Sequence, residues 1–245
     1  MVEDKGTNLL PLKEIIAKSI RGDNLSEKKS KYEPPYDSPI EDIFAWNLGK
    51  YINPNLRLDK QTEVNTPWGI FILDFVVECK SEKIAFECDG KDFHDVGRDE
   101  WRDAMILGGG HVDTIYRLRG TDLVHRAEDC LFVISQLEPQ IFSKRGRANL
   151  EMLASSSIKE SLDRKLSFDK NLGKGSRLMV FDYPRESEGL APSFVCIFRE
   201  SRHIPDGEIS FWESQYTYAL NNKGLPLDDL MEQYYKEPYP EDSEE

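Results

Sequence analysis

Ile70-Phe-Ile-Leu-Asp-Phe-Val-Val-Glu-Cys79, then Lys80-Ser-Glu-Lys83, then Ile84-Ala-Phe-Glu-Cys-Asp-Gly90 form the stretch that sets the fold. Two β-rich runs on either side of a polar turn predict an antiparallel hairpin or meander. Successive side chains of a strand point to opposite faces. One parity of the first run carries Phe71, Leu73, Phe75 and Val77, and the other carries Ile70, Ile72, Asp74 and Val76. Asp74 therefore falls on a face that is otherwise apolar, where an unpaired carboxylate is expensive. In the second run Glu87 and Asp89 share a parity and point the same way, and Gly90 predicts a sharp turn directly after them.

Working outward, Gln61 to Val64 reads as a preceding strand, separated from the hairpin by the turn signal Asn65-Thr-Pro-Trp-Gly69. Upstream of it, Ser38-Pro-Ile-Glu41 opens a helix to about Tyr51. Ser38 is its N-cap, Pro39 its first residue and Glu41 the far side of a capping box, with Ile40, Ile43, Phe44 and Leu48 as the inward stripe. Downstream, a helix is expected from about Asp99 to Leu107, stopped by Gly108-Gly-Gly110, and then a strand from His111 to Leu118. A further helix runs from Thr121 to Leu137, with Val124, Ala127, Leu131, Ile134 and Leu137 on one face. The order over residues 38–145 is thus α-β-β-β-α-β-α, with the carboxylates on the middle strands.

Residues 146–236 read as an α+β extension. It has a helix over Ile158 to Leu166, strands over Ser176 to Tyr183 and Ser193 to Arg199, and a short helix over Leu227 to Tyr235. Residues 1–37 combine a helical period at Leu9, Leu12, Ile15, Ile16 and Ile20 with a polar linker, and an acidic tail expected to be disordered occupies 237–245.

Composition narrows the function classes. The 245 residues can bury a sizeable core, and no apolar run reaches the ~20 residues of a membrane span. The N-terminus lacks the basic start and apolar stretch of a signal peptide. Cys79, Cys88, Cys130 and Cys196 show no CxxC spacing, so neither a zinc knuckle nor a disulfide framework is indicated, and a reducing, cytoplasmic location is expected. The net charge of −13 argues against a simple phosphate-coating protein. Much of it sits at the C-terminus, where Asp228, Asp229, Glu232, Glu237, Glu241, Asp242, Glu244 and Glu245 face Lys236 alone. Basic clusters occur elsewhere, at Arg117 with Arg119 and at Lys144, Arg145 and Arg147.

The chemistry lies in the hairpin. Glu87 and Asp89 repel each other and raise each other's pKa unless a cation offsets them. With Asp74 beside them they make an oxygen-rich pocket of the kind Mg²⁺ prefers. The alternatives are an ion pair between Asp74 and a buried arginine or lysine, or a solvent-facing acidic edge.

Leu73-Asp74-Phe75, Ile84-Ala-Phe-Glu87-Cys-Asp89-Gly90 with His94 four residues on, Arg98-Asp99-Glu-Trp-Arg102, the glycine stop and Ile115-Tyr-Arg117 together resemble the very-short-patch-repair-like branch of the PD-(D/E)XK nucleases. The likeness covers about Ser38 to Leu123, and its elements are specific in combination rather than singly. It implies an α/β restriction-endonuclease-like core with a mixed central sheet flanked by helices, and hydrolysis of nucleic-acid phosphodiesters, DNA before RNA. It also implies Mg²⁺, replaceable by Mn²⁺, on Asp74, Glu87 and Asp89, and it gives Glu41 an auxiliary place at the metal, although the capping box also explains Glu41.

Asp89-Gly-Lys91 satisfies the superfamily's (D/E)-x-K as well, while His94 fills the same niche in the branch resembled. His94 is the favoured general base, with Lys91 the alternative or a plain surface lysine. Arg102 and Arg117 either hold the substrate phosphate or neutralise the carboxylates, and Trp46, Trp68 and Trp101 are read as core. A modest basic surface implies weak binding without a special DNA structure, a protein partner or a homodimer. Competing readings are a defence or mobile-element nuclease targeted by the C-terminal region, a catalytically silent nuclease-like module, and an interaction protein acting through its acidic tail.

Overall fold

Helix α1 (Pro39–Tyr51) starts as its sequence dictates: Ser38 caps it by accepting the Glu41 N–H at 3.2 Å, and Pro39 occupies the first turn. The computed structural model describes residues 32–90, 96–168, 176–182, 193–200 and 211–236, with 176–182 and 193–200 as backbone. Expectations for the helix at Leu9 to Ile20, for Lys91 and His94, and for the tail after residue 236 fall outside those residues.

A meander follows α1, made of β1 (Leu58–Thr66), β2 (Gly69–Cys79) and β3 (Glu82–Asp89), all antiparallel. Helix α2 (Val96–Gly108) crosses over to β4 (Thr114–Arg119), which pairs parallel with β3. Helix α3 (Gly120–Leu137), a 3₁₀ turn at Pro139–Ile141, α4 (Lys144–Leu153) and α5 (Ser156–Phe168) come next. Strands β5 (Ser176–Asp182) and β6 (Ser193–Glu200) return to the same sheet, whose order is β1-β2-β3-β4-β6-β5. Helices α6 (Phe211–Asn221) and α7 (Leu227–Tyr234) complete the fold. The chain is thus α/β with a mixed sheet flanked by helices. The C-terminal strands extend that sheet through the antiparallel pairing of β4 with β6, rather than forming a separate layer. No described helix is long and apolar enough to cross a membrane.

Each face of the sheet has its own core. On one, Phe75, Val77, Ile84, Phe86, Tyr116 and Leu118 meet Phe44, Ala45 and Leu48 of α1 and Cys130, Leu131 and Ile134 of α3. Phe44 lies against both Phe75 and Phe86, and the Phe86 and Tyr116 rings stack at 5.6 Å. On the other face, Leu73, Val76, Ala85 and Ile115 meet Trp101, Ala104 and Met105 of α2 and Trp212, Ala219 and Leu230 of α6 and α7.

Several expectations are corrected. The buried face of α1 is Glu41, Phe44, Ala45, Leu48 and Tyr51, so it includes an acid and leaves Ile43 half-buried. Arg119, not Thr121, is the N-cap of α3, without a side-chain cap. Non-helical angles at Arg126 kink that helix, and Leu123 is buried in place of Val124, which is exposed. Trp46 is exposed rather than core, while Trp101 is buried.

Helices α4 and α6 answer to no sequence expectation. Ser143 caps α4 by accepting the Gly146 N–H at 2.8 Å, and its own N–H reaches the Tyr51 carbonyl at 3.0 Å. This docks α4 on the end of α1 so closely that a Cβ at Gly146 would lie 2.1 Å from the Tyr51 carbonyl oxygen. Backbone cannot yield there as a side-chain tip would, and overpacking of this kind costs about 1–3 kcal/mol. Gly146→Ala is expected to lower stability by that amount in urea denaturation with the m-value retained; an unchanged midpoint would refute the close approach.

Candidate functional site

The regular alternation of β2 breaks at Asp74. Leu73 joins one core and Phe75 the other, although the two are only two residues apart. On the neighbouring strand Gln61, between the paired residues Lys60 and Thr62, has a left-handed φ of 48°. Ile70 and Ile72, expected to share an apolar face with Asp74, are exposed. Asp74 itself is half-buried and accepts the Cys88 N–H on Oδ2 at 2.8 Å, which ties it across to β3.

Glu87 and Asp89 project from β3 toward α2. Arg102 of α2 grips Glu87 with both Nη atoms, at 3.2 and 3.1 Å, and Nη2 also donates to the Ile72 carbonyl. Arg117 of β4, directly beside Glu87 in the parallel register, reaches Asp89 at 3.1 Å through Nη1. Its Nε and Nη2 hold Asp103 bidentately at 2.9 Å each, and Nη2 lies 3.4 Å from Asp99. From the opposite side, buried Glu41 of α1 accepts the Gln61 side-chain amide at 2.9 Å and the Asp37 N–H at 3.4 Å.

The structure therefore gathers Glu41, Asp74, Glu87, Asp89, Arg102 and Arg117 into one region. It also shows what became of the two arginines. With side-chain exposures of 18% for Arg102 and 3% for Arg117, both are turned inward onto acids. Of the two roles open from sequence, the geometry is that of charge neutralisation. Fully buried Asp103 is the member of the network that the sequence reading misses. Its signal lies in the helical spacing of Asp99, Arg102 and Asp103, which sets an acid pair one turn apart beside the motif's arginine.

Burial dominates the electrostatics. It lifts Glu87 to about 8, opposed by Arg102 and assisted by Asp74. It lifts Asp74 to about 6, opposed by the Cys88 N–H and Arg102 and assisted by Glu41 and Asp89. The Cys88 thiol is pushed well up by burial and by Asp74 and Glu87, which keeps it an inert thiol. Burial works against the charge of Arg117, but Asp103, Asp89 and Glu87 outweigh it and raise its pKa further.

The donor chemistry, carboxylate oxygens from two adjacent strands, suits a hard divalent cation. Asp74 enters no salt bridge among the described residues, whereas Glu87 and Asp89 are engaged by guanidiniums. Among the described residues no group of three or more acids, histidines or cysteines is drawn together closely enough to hold a metal ion. A cation on all three carboxylates would therefore share or displace the grip of Arg102 on Glu87. No protein-family model, curated protein or solved structure matches the chain. The likeness to the very-short-patch-repair-like nucleases is carried by the motif residues alone.

A pH dependence follows from the raised acids. The folded chain holds protons on Asp74 and Glu87 that the unfolded chain releases near the ordinary carboxylate range. Their contribution is full below about pH 4 and is lost as pH rises through about 6 and then 8. In EDTA, the thermal midpoint of Glu87→Gln is expected to gain on that of wild type between pH 5 and pH 8. Parallel curves for the two proteins would remove the buried, proton-holding Glu87.

Proposed function

We propose that the chain is a metal-dependent nuclease of the PD-(D/E)XK type that hydrolyses phosphodiester bonds of nucleic acid, DNA before RNA. The observation that carries this reading is the placement of Asp74, Glu87 and Asp89 on adjacent strands of a mixed sheet, where Asp89 and, from α1, Glu41 both act electrostatically on Asp74. Burial raises the Asp74 and Glu87 carboxyls against the pull of Arg102, and Glu41 and Asp89 raise Asp74 further, so a divalent cation among these oxygens would offset a cost the fold already carries. The order α-β-β-β-α-β-α around the site supports the same assignment.

Asp74, Glu87 and Asp89 would hold Mg²⁺, or Mn²⁺ in its place. When bound, the ion supplies Lewis acidity toward the phosphate and a water of lowered pKa. The chain's own residues set the stage. The bidentate grip of Arg102 orients Glu87, and Arg117 anchors Asp89 through the α2 acids. Glu41, held by Gln61, adds negative potential at Asp74. His94, with Lys91 as the alternative, is assigned the proton of the attacking water. The acidic net charge fits a nuclease that engages its substrate with help from a protein partner or a second copy of the chain.

A second reading has one observation in its favour. Glu87 and Asp89 already own guanidinium partners, so the cluster could serve as a structural ion network in a catalytically silent nuclease-like module.

Cleavage of single- and double-stranded DNA and RNA in Mg²⁺, Mn²⁺ or EDTA separates the two readings. An outer-shell partner of a metal is worth about 10–100-fold in activity, so loss of a ligand should cost at least the upper end of that range. Cleavage in Mg²⁺ is expected from wild type, with losses of that size in Asp74→Ala and Asp89→Ala, and no cleavage by any of the three proteins is expected in EDTA. Binding without cleavage of any substrate in either metal would leave the silent module.

A further inference from the structure

With Arg102 and Arg117 committed to internal acids, the proposed nuclease needs another cation to face its substrate. Strands β3 and β4 run parallel and end together, with Asp89 directly beside Arg119 in the register. The carboxyl ends of parallel strands, where connections part, form the crevice in which open α/β sheets bind ligands. Arg119 is the last residue of β4 and the N-cap of α3. The strand ends pack closely there: a Cβ at Gly120 would lie 2.4 Å from Ile40 Cδ1 of α1 and 3.3 Å from the Asp89 carbonyl oxygen. The Arg119 backbone is thus fixed beside the mouth of the carboxylate cluster.

Its side chain is both presented and oriented. Arg119 is 38% exposed, against 3% for Arg117 two residues earlier. Asp122, almost fully buried in the first turn of α3, takes its Nε at 2.7 Å and its Nη2 at 3.2 Å. This side-on grip fixes the guanidinium plane. A planar guanidinium fixed in this way suits the bidentate recognition of phosphate oxygens. Arg126 braces the same carboxylate from the kink of α3, its Nη1 lying 3.7 Å from Asp122 Oδ1.

We propose that Arg119 contacts the backbone phosphate of the nucleic-acid substrate, with Asp122 as its positioning residue. The inference rests on the phosphodiester reading and adds to it the residue that meets the strand. A surface arginine held only for helix stability would influence folding and leave the ionic-strength dependence of binding untouched.

Binding of fluorescent duplex and single-stranded DNA by the full chain in EDTA, followed by anisotropy across a salt series, tests this. Removing the cation that neutralises one phosphate lowers the slope of log K against log salt by about 0.9 on duplex and about 0.7 on single strands. Arg119→Ala is expected to bind more weakly with the slope reduced by one such step. Arg119→Lys, which keeps the charge, should retain the slope while losing affinity, and it serves as the folded control if the alanine variant melts early. An unchanged affinity and slope in Arg119→Ala, alongside cleavage by wild type that Asp74→Ala abolishes, would overturn the Arg119 assignment and leave the nuclease intact. Failure of wild type to bind or cleave any nucleic acid would overturn both.

Discussion

The guanidinium of Arg117, almost completely shielded from water beneath the sheet, is the constraint around which the rest is arranged. A charge in that position must be answered by acids with good geometry, and removing one partner of such a pair costs about 3–5 kcal/mol. Asp103 and Asp99 answer it from α2 and Asp89 answers it from β3. The crossover helix, the strand before it and the strand after it are thereby pinned at one point. The apolar contacts of Trp101, Met105, Ala85 and Ile115 close over the same junction. Hydrophobic burial supplies the driving force there, while the ion network fixes which way α2 faces.

The same network divides the candidate site into unlike halves. On the α2 side, Glu87 and Asp89 meet guanidiniums at hydrogen-bonding distance. On the α1 side, Asp74 and Glu41 have amides instead: the Cys88 main chain, the Gln61 side chain and the Asp37 main chain. Amide donors stabilise a carboxylate without neutralising it, so negative potential accumulates on that side. A polar cluster of this kind is costly to maintain, and proteins tend to retain such costs where chemistry needs them. An alternation break in β2, with a left-handed residue opposite, is the local distortion that sets Asp74 between the two halves.

Much of the core was legible because local rules and tertiary packing agree there. Ser38, Pro39 and Glu41 announced α1, the polar turn at Lys80 to Lys83 announced the hairpin, and the glycines after Leu107 stopped α2. The shared parity of Glu87 and Asp89 survived into the structure. What stayed hidden depends on contacts no window reveals. Strict alternation placed Asp74 with Ile70 and Ile72, whereas the break at Asp74 sends neighbours to different layers. Helix α4 opens with Lys144, Arg145 and Gly146, all unfavourable in a first turn, and forms because Ser143 and Gly146 dock on the end of α1. Helix α6 is rich in aromatic residues that favour strands, yet Trp212, Gln215 and Ala219 recur at helical spacing and are buried. In the site, the spacing that made Arg102 and Arg117 attractive as phosphate ligands equally suits pairing with Glu87 and Asp103. Only their burial decides between the two.

The parallel pairing of β3 with β4 also has a consequence in time. The meander of β1, β2 and β3 closes through turns of a few residues, whereas β4 must await the α2 crossover, and its pairing with β6 joins Thr114 to Glu200. Closing longer loops costs more entropy, and non-local pairings form slowly. The contacts of the site are short-range by comparison: Asp74 with Cys88 and Arg117 with Asp103 each join residues 14 apart, and Arg102 with Glu87 joins residues 15 apart. The acids and their counter-charges are thus drawn together over loops of similar length, and the long closure falls on the pairing of β4 with β6 at the far side of the sheet.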